Sequence, residues 1–431
     1  GRRMMVWVLN HMEPAQGAEA PARVHFGGQS YRRRAKHPRM VATLFGPVKV
    51  WRYLYEPLAR GVPALHPLEH RLGLEAGIAT PALAARVGQW AADHPQRQVL
   101  AMLASDHAVH WSCTSLRKVL GSLRTGVAPH RHPSQVEQVV GWLAQARAST
   151  GRYRPTVSVG RDGIFVPLQP KIWQEGATAT VSVLDRRGKR LGTVYLGHMP
   201  EPGQGTLTTQ LTTLLQDIFR QVDSHGLRLV YVTDDGYHPS DYYHRVIQQI
   251  PDPRRPWRLL TWIRIIDYDH ACQYIQQLAE VIFGPGTDSV RWAKRMREQL
   301  KTRAKGVVRV LQSAAALRSK RGLWGQTKVY QQAYAYLKKR SQWMHYQSYR
   351  RQHLPIGSGI TEAACKLVFT QRFKRSGMAW SKDGGQIIVD LRVIWLSHIW
   401  DVAHQRYLTS KPLPLAYVKS AGGTQEEQEA A

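Results

Sequence analysis

The sequence predicts an α/β protein in which a mixed five-stranded sheet with flanking helices is interrupted by an all-α insertion and preceded by a helical, helix-turn-helix-like region. Three observations carry this expectation. Residues 156–199 hold three apolar-alternating runs joined by tight turns, TVSVGRDGIFVPLQ, TATVSVLDRRG and KRLGTVYLGHM. Two further apolar runs, LRLVYVTD and WRLLTWIRIID, each follow a helical pattern and read as buried strands of the parallel kind. A strongly basic, almost entirely helical stretch then separates Asp267 from a glycine-flanked helix start near residue 360.

In chain order, residues 1–65 are basic and turn-rich, with RMVATLFGPVKVWRYLYEP reading as a β-hairpin around Gly46-Pro47. The chain opens on Gly1 inside an apolar run, Met4 to Leu9, as an incompletely assigned start would. Residues 66–155 read as consecutive short helices, then a helix and linker from Thr125. Ser112 is placed to cap a helix that carries Arg117 and Lys118 in the layout of a recognition helix. A generic helical bundle explains the same apolar spacing. The first part of the core spans 156–270, with helices expected over Thr206–Ser224 and Pro239–Ile250. The insertion spans 271–355, residues 356–410 complete the core with a final helix and a C-terminal helix over Gln386–Tyr407, and 411–431 form a flexible polar tail.

Composition narrows the partner. Sixty Lys and Arg against 30 Asp and Glu give 431 residues a net charge of +30, which calls for a polyanion. Nucleic acid leads, because the apolar runs are too short and too often broken by charge to form a membrane span or signal peptide. Cys113, Cys272 and Cys365 are far apart and lack paired spacing, so neither a disulfide framework nor a structural zinc site is supported, and a reducing, cytoplasmic compartment fits.

The chemistry concentrates in carboxylates. Asp162 lies within the first core strand, with Gly163 beside it leaving room for a metal or backbone to approach. Asp234 and Asp235 end the fourth; the strand position favours Asp234, and Asp235 is the close alternative. Glu362 begins a helix for which Thr361 can act as cap, with Lys366 one turn on and Arg372, Lys374 and Arg375 following. An acidic ligand beside phosphate-type contacts suggests phosphodiester chemistry. The plain alternatives are a turn-forming Asp and a helix-start Glu paired with Lys366.

GSGITEAACK followed by QRFKRSGMAWSKDGGQIIVDLR closely resembles the C-terminal catalytic segment of bacterial insertion-sequence transposases of the ISKra type. Three antiparallel strands, helix, strand, helix, strand is also the connection order of the RNase H-like fold. The resemblance implies a DDE triad ending on Glu362, with Asp162 and Asp234 or Asp235 as its other members. It implies Mg²⁺ or Mn²⁺ held by Asp162, Asp234 and Glu362, double-stranded DNA (transposon ends and target) as partner, and a homo-oligomer acting near the nucleoid. Asp267 and His270 share the D-x-x-H spacing of several such families, in which the His lies near the scissile phosphate; a capping Asp is the alternative. Trp380, among basic residues, is the aromatic expected to stack on unpaired bases. The family's cysteine-bearing metal knuckle after the hairpin is replaced here by YEPLARGVPALHPLEHRLGL.

Overall fold

The computed structural model describes residues 1–13, 20–26, 28–170, 172–321 and 328–411; most of the expected tail lies outside them. The chain divides into two compact units, 1–131 with 400–431, and 132–399.

The first unit holds α1 (Arg2–His11) and a three-stranded antiparallel sheet of β1 (Arg23–Phe26), β2 (Gln29–Thr43) and β3 (Gly46–Pro57). The hairpin turns at Leu44-Phe45, where Gly46 at φ 103° takes a conformation that favours glycine. Four helices follow: α2 (Pro67–Arg71), α3 (Pro81–Asp93), α4 (Gln96–His107) and α5 (Cys113–Ala148). Ser112 Oγ accepts from Ser115 N at 3.1 Å, the cap expected at the start of α5. Where a helix and linker were expected from Thr125, α5 continues for 36 residues through Pro129 and Pro133 and crosses the boundary between the units.

The second unit is built on β4 (Thr156–Leu168), β5 (Ile172–Leu184), β6 (Arg190–His198), β7 (Arg228–Thr233) and β10 (Trp262–Ile266), in the order β10-β7-β4-β5-β6. β4, β5 and β6 pair antiparallel, whereas β7 is parallel to both β4 and β10, so the sheet is mixed. The apolar alternation of β4 explains its two faces. Val157 and Val159 enter a core with Leu211, Leu215 and Phe219 of α6 (Gly205–Gln221) and Tyr242 of α7 (Tyr237–Arg245), while Ser158, Gly160 and Asp162 face the other way.

The run WRLLTWIRIID is two strands, not one. Its first half belongs to β9 (Arg255–Leu259), which pairs with the short β8 (Pro251–Asp252) outside the main sheet and leaves Trp257 78% exposed. The insertion consists of α8 (Tyr268–Phe283), α9 (Thr287–Thr302), α10 (Gly306–Lys320), α11 (Lys328–Lys339) and α12 (Tyr346–Arg351). Its apolar stripes, including Ile275, Trp292, Val310 and Leu337, share a core with Val230 and Val232 of β7, so the insertion continues the fold rather than hanging from it.

Glu362 lies on α13 (Gly359–Cys365), which runs through a π-helical turn at Lys366–Thr370 into α14 (Gln371–Phe373). α15 (Lys382–Leu396) completes the second unit. The expected C-terminal helix is broken at His398, φ 56°, and α16 (Trp400–Ser410) belongs to the first unit, where Tyr407 Oη donates to Glu75 at 2.6 Å.

Candidate active site

The β4–β7 register brings two of the three candidate carboxylates together. Gly160 pairs with Val232, so Asp162 and Asp234, each two residues further on, reach one edge of the sheet in the same row and on the same face. Burial pushes the Asp162 carboxyl up to about 6, Asp234's negative charge adds to the rise, and Glu362's charge contributes less. Asp162 Oδ1 accepts from Gly163 N at 2.7 Å, and Oδ2 accepts from the buried Cys365 thiol at 3.4 Å. Burial and the neighbouring carboxylate keep that thiol protonated, with its pKa raised.

Glu362 reaches this edge because α13 packs directly on β4. A Cβ at Gly160 would fall 1.9 Å from Thr361 Oγ1, so only glycine admits the helix at this distance. Thr361 is therefore not the cap. Its hydroxyl meets Thr180 Oγ1 at 3.0 Å, and Ser358 occupies the N-cap position, its own Oγ donating to Glu362 Oε1 at 2.8 Å. Glu362 is exposed at the helix start.

Asp234 and Asp235, adjacent in sequence, have different surroundings. Asp234 Oδ1 accepts from Gly236 N at 3.0 Å, and the Asp234 carbonyl accepts from Tyr336 Oη at 2.7 Å. Asp235, at φ 70°, turns its carboxylate into ion pairs with Arg264 and Arg340, its side chain 7% exposed. Those pairs occupy both Asp235 oxygens. Gly163 also differs from expectation: the space above it is filled by Glu175, whose Oε1 would lie 1.7 Å from an added Cβ.

Asp267 caps α8 by accepting from His270 N at 2.5 Å and also accepts from Ser358 N, tying the loop before Glu362 to the end of β10. The His270 ring is half-buried and edge-on to Tyr274 and Tyr336, at 5.3 and 5.6 Å between centroids.

The expected DNA contacts divide. Arg117, Lys118, Lys366 and Arg375 are exposed, and Lys374 is half-buried beside the exposed Trp173 at 5.7 Å. Arg372 is 1% exposed and lies over the Trp380 ring, so its guanidinium packs the fold instead of facing solvent phosphate. Trp380 packs on Phe373 at 4.5 Å, donates to the Phe373 carbonyl and makes a backbone bridge to Leu168; these contacts hold its ring against the protein.

Ser358 and Cys365 were not among the site residues expected from the sequence, and Asp267, expected there as a motif or capping residue, also holds Ser358 N. The Asp267–Ser358 link spans 91 residues, and local spacing carries no sign of it.

Among the described residues, no group of three or more His, Cys, Asp or Glu side chains is already gathered as a cation cage. The donors nonetheless suit a hard cation. Asp162 and Asp234 supply carboxylate oxygens at one edge, and the charges of Asp234 and, less, of Glu362 reach Asp162 and disfavour its ionisation. No family model matches the chain, and a search of curated proteins finds no similar sequence.

Proposed function

We propose that this chain is a DNA transposase of the DDE type, its second unit an RNase H-like core, cleaving DNA at insertion-sequence ends and joining it to a target. One observation supports this most strongly: Asp162 within β4 and Asp234 just past the end of the neighbouring parallel β7 fall in one row, and the helix bearing Glu362 docks on the same face through Gly160. Asp162, Asp234 and Glu362 would hold Mg²⁺ or Mn²⁺. Bound there, such cations would supply activation of the attacking oxygen and stabilisation of the leaving oxygen.

The protein's own residues prepare that site. The Gly163 amide and Cys365 thiol orient Asp162, the Gly236 amide orients Asp234, and Ser358 steadies Glu362. The net charge of +30 and the exposed Arg291, Lys294, Arg295, Arg303, Lys305 and Arg309 of the insertion favour duplex DNA as partner. Action at paired ends makes a homo-oligomer on DNA part of the reading. No helix among the described residues is long and apolar enough to cross a membrane; a site of action on the nucleoid is part of the proposal.

The exposure of Glu362 and its bond to Ser358 favour a second reading, a catalytically inert DNA-binding descendant. A strand-transfer assay with the element's own flanking ends separates the readings. Mg²⁺-dependent nicks followed by joined products support a transposase, nicks without joining indicate a structure-selective nuclease of the same fold, and binding without either indicates the inert descendant.

A further inference from the structure

We infer that the helical insertion braces the second catalytic carboxylate, with Tyr336 and Arg340 as positioning residues for Asp234; the inference rests on the metal-dependent reading of the site. β7 ends at Thr233, so Asp234 sits beyond the ladder that fixes the strand. Something else must hold its backbone.

Three bonds do so. Thr233 Oγ1 accepts from Asp235 N at 3.0 Å, Gly236 N donates to Asp234 Oδ1, and Tyr336 Oη on α11 donates to the Asp234 carbonyl at 2.7 Å. Tyr336 is itself fixed, stacked on Tyr274 of α8 with centroids 3.8 Å apart. Immediately after α11, Arg340 pairs with Asp235 and lies over the Tyr336 ring at 4.0 Å. The other side of Asp235 is held by Arg264 of β10, fully buried between the Trp343 and Tyr243 rings at 4.1 and 4.5 Å.

Asp235 is thus the rigid anchor and Asp234 the presented ligand. Clamping Asp235 on both sides fixes the turn that presents Asp234 in the row of Asp162. The left-handed conformation of Asp235, which non-glycine residues seldom adopt, is the kind held in place by such surroundings. A carboxylate misplaced by about 1 Å loses much of its effect as a ligand, on the order of 10²-fold in rate. The insertion therefore does more than add basic surface: α11 supplies the bond from Tyr336 Oη to the Asp234 carbonyl, one residue beyond the Thr233 carbonyl held by Asp267 N at 2.9 Å.

The test uses the full-length chain with Tyr336→Phe, which removes one hydroxyl and leaves the stacking ring. Arg340→Ala and Arg340→Lys form a second pair, and Tyr334→Phe on the same helix is the control. Mn²⁺ affinity is read by electron paramagnetic resonance, and Mg²⁺-dependent nicking is read beside it. The expected result is a tenfold or greater rise in the Mn²⁺ dissociation constant and a matching fall in nicking for Tyr336→Phe and Arg340→Ala. Arg340→Lys recovers part of the loss, and Tyr334→Phe matches wild type. Wild-type Mn²⁺ affinity in Tyr336→Phe, in a protein that binds the metal, would overturn the brace and leave the site intact. A wild type that binds no Mn²⁺ would overturn the catalytic reading itself, and the brace with it.

Discussion

Asp162, midway along β4, shares a row and a face with Asp234, just past the end of the parallel strand β7, and Asp162's carboxyl is raised to about 6 by burial first and by Asp234's charge second. A buried acid whose folded pKa exceeds its ordinary value of 3.8 binds its proton more tightly folded than unfolded. This group's contribution is therefore favourable below about pH 4 and is lost as pH rises through 6. In metal-free protein, Asp162→Asn should stabilise the fold at pH 7.5 by about 1–3 kcal/mol and leave it unchanged near pH 4. Urea unfolding at the two pH values checks this; equal effects at both would remove the electrostatic account.

The two acids after β7 should respond differently to neutralisation. Asp235→Asn strips the partner from Arg264, whose side chain is fully buried, and should cost about 3–5 kcal/mol. Asp234→Asn should cost far less in metal-free protein, since its carboxylate accepts from the Gly236 amide and no ion pair to it occurs among the described residues. Denaturant midpoints for both variants decide between them, and a larger loss for Asp234→Asn would reverse the roles assigned here.

Gly160→Ala should destabilise the protein by about 1–3 kcal/mol, because the new methyl meets Thr361 Oγ1. Thr361→Ala in the same chain removes that atom and should recover part of the loss. A double-mutant cycle measures the coupling, and strictly additive costs would mean that α13 does not press on β4 at this point.

The insertion's exposed charges predict a salt dependence. Replacing Lys294, Arg295 and Arg309 with Ala should flatten the slope of log affinity against log salt by about 0.9 for each phosphate no longer neutralised. Fluorescence anisotropy on a duplex over a salt series measures it; an unchanged slope would move the DNA path away from α9 and α10.

What was legible in the sequence follows its periodicity. The alternation in 156–199 marks β4, β5 and β6, because their valines enter the core with α6 while small Gly, Ser and Thr residues largely line the other face, buried as well in β4 and β5, and the continuous run at 228–233 marks a strand with large apolar side chains on both sides. The split between β9 and β10 was not legible, since Trp257 and Leu259 are apolar yet exposed and mimic the start of a buried strand. The basic segment from Thr125 read as a helix and linker, whereas α5 runs on to Ala148.

Side-chain roles set by distant partners were equally hidden. The Thr361 hydroxyl bonds Thr180, 181 positions away, so its capping signature was misleading. Arg372 sits in a basic run that reads as a DNA contact, and only tertiary packing reveals it under Trp380. The choice between Asp234 and Asp235 rested on strand position alone; the ion pairs that occupy Asp235 come from Arg264 and Arg340, 29 and 105 positions further on.

The central claim is that Glu362 completes a metal-dependent centre with Asp162 and Asp234. Glu362→Gln keeps the side chain's shape and its bond from Ser358 while removing the negative charge. The direct measurement is Mg²⁺-dependent nicking of duplex DNA, with gel-shift affinity determined on the same preparations. The account predicts a fall in nicking of at least about 10³-fold, with affinity for the duplex changed less than about twofold, because the exposed basic residues that bind it are untouched. A Glu362→Gln protein that nicks at the wild-type rate would contradict the claim and reduce Glu362 to a helix-start residue.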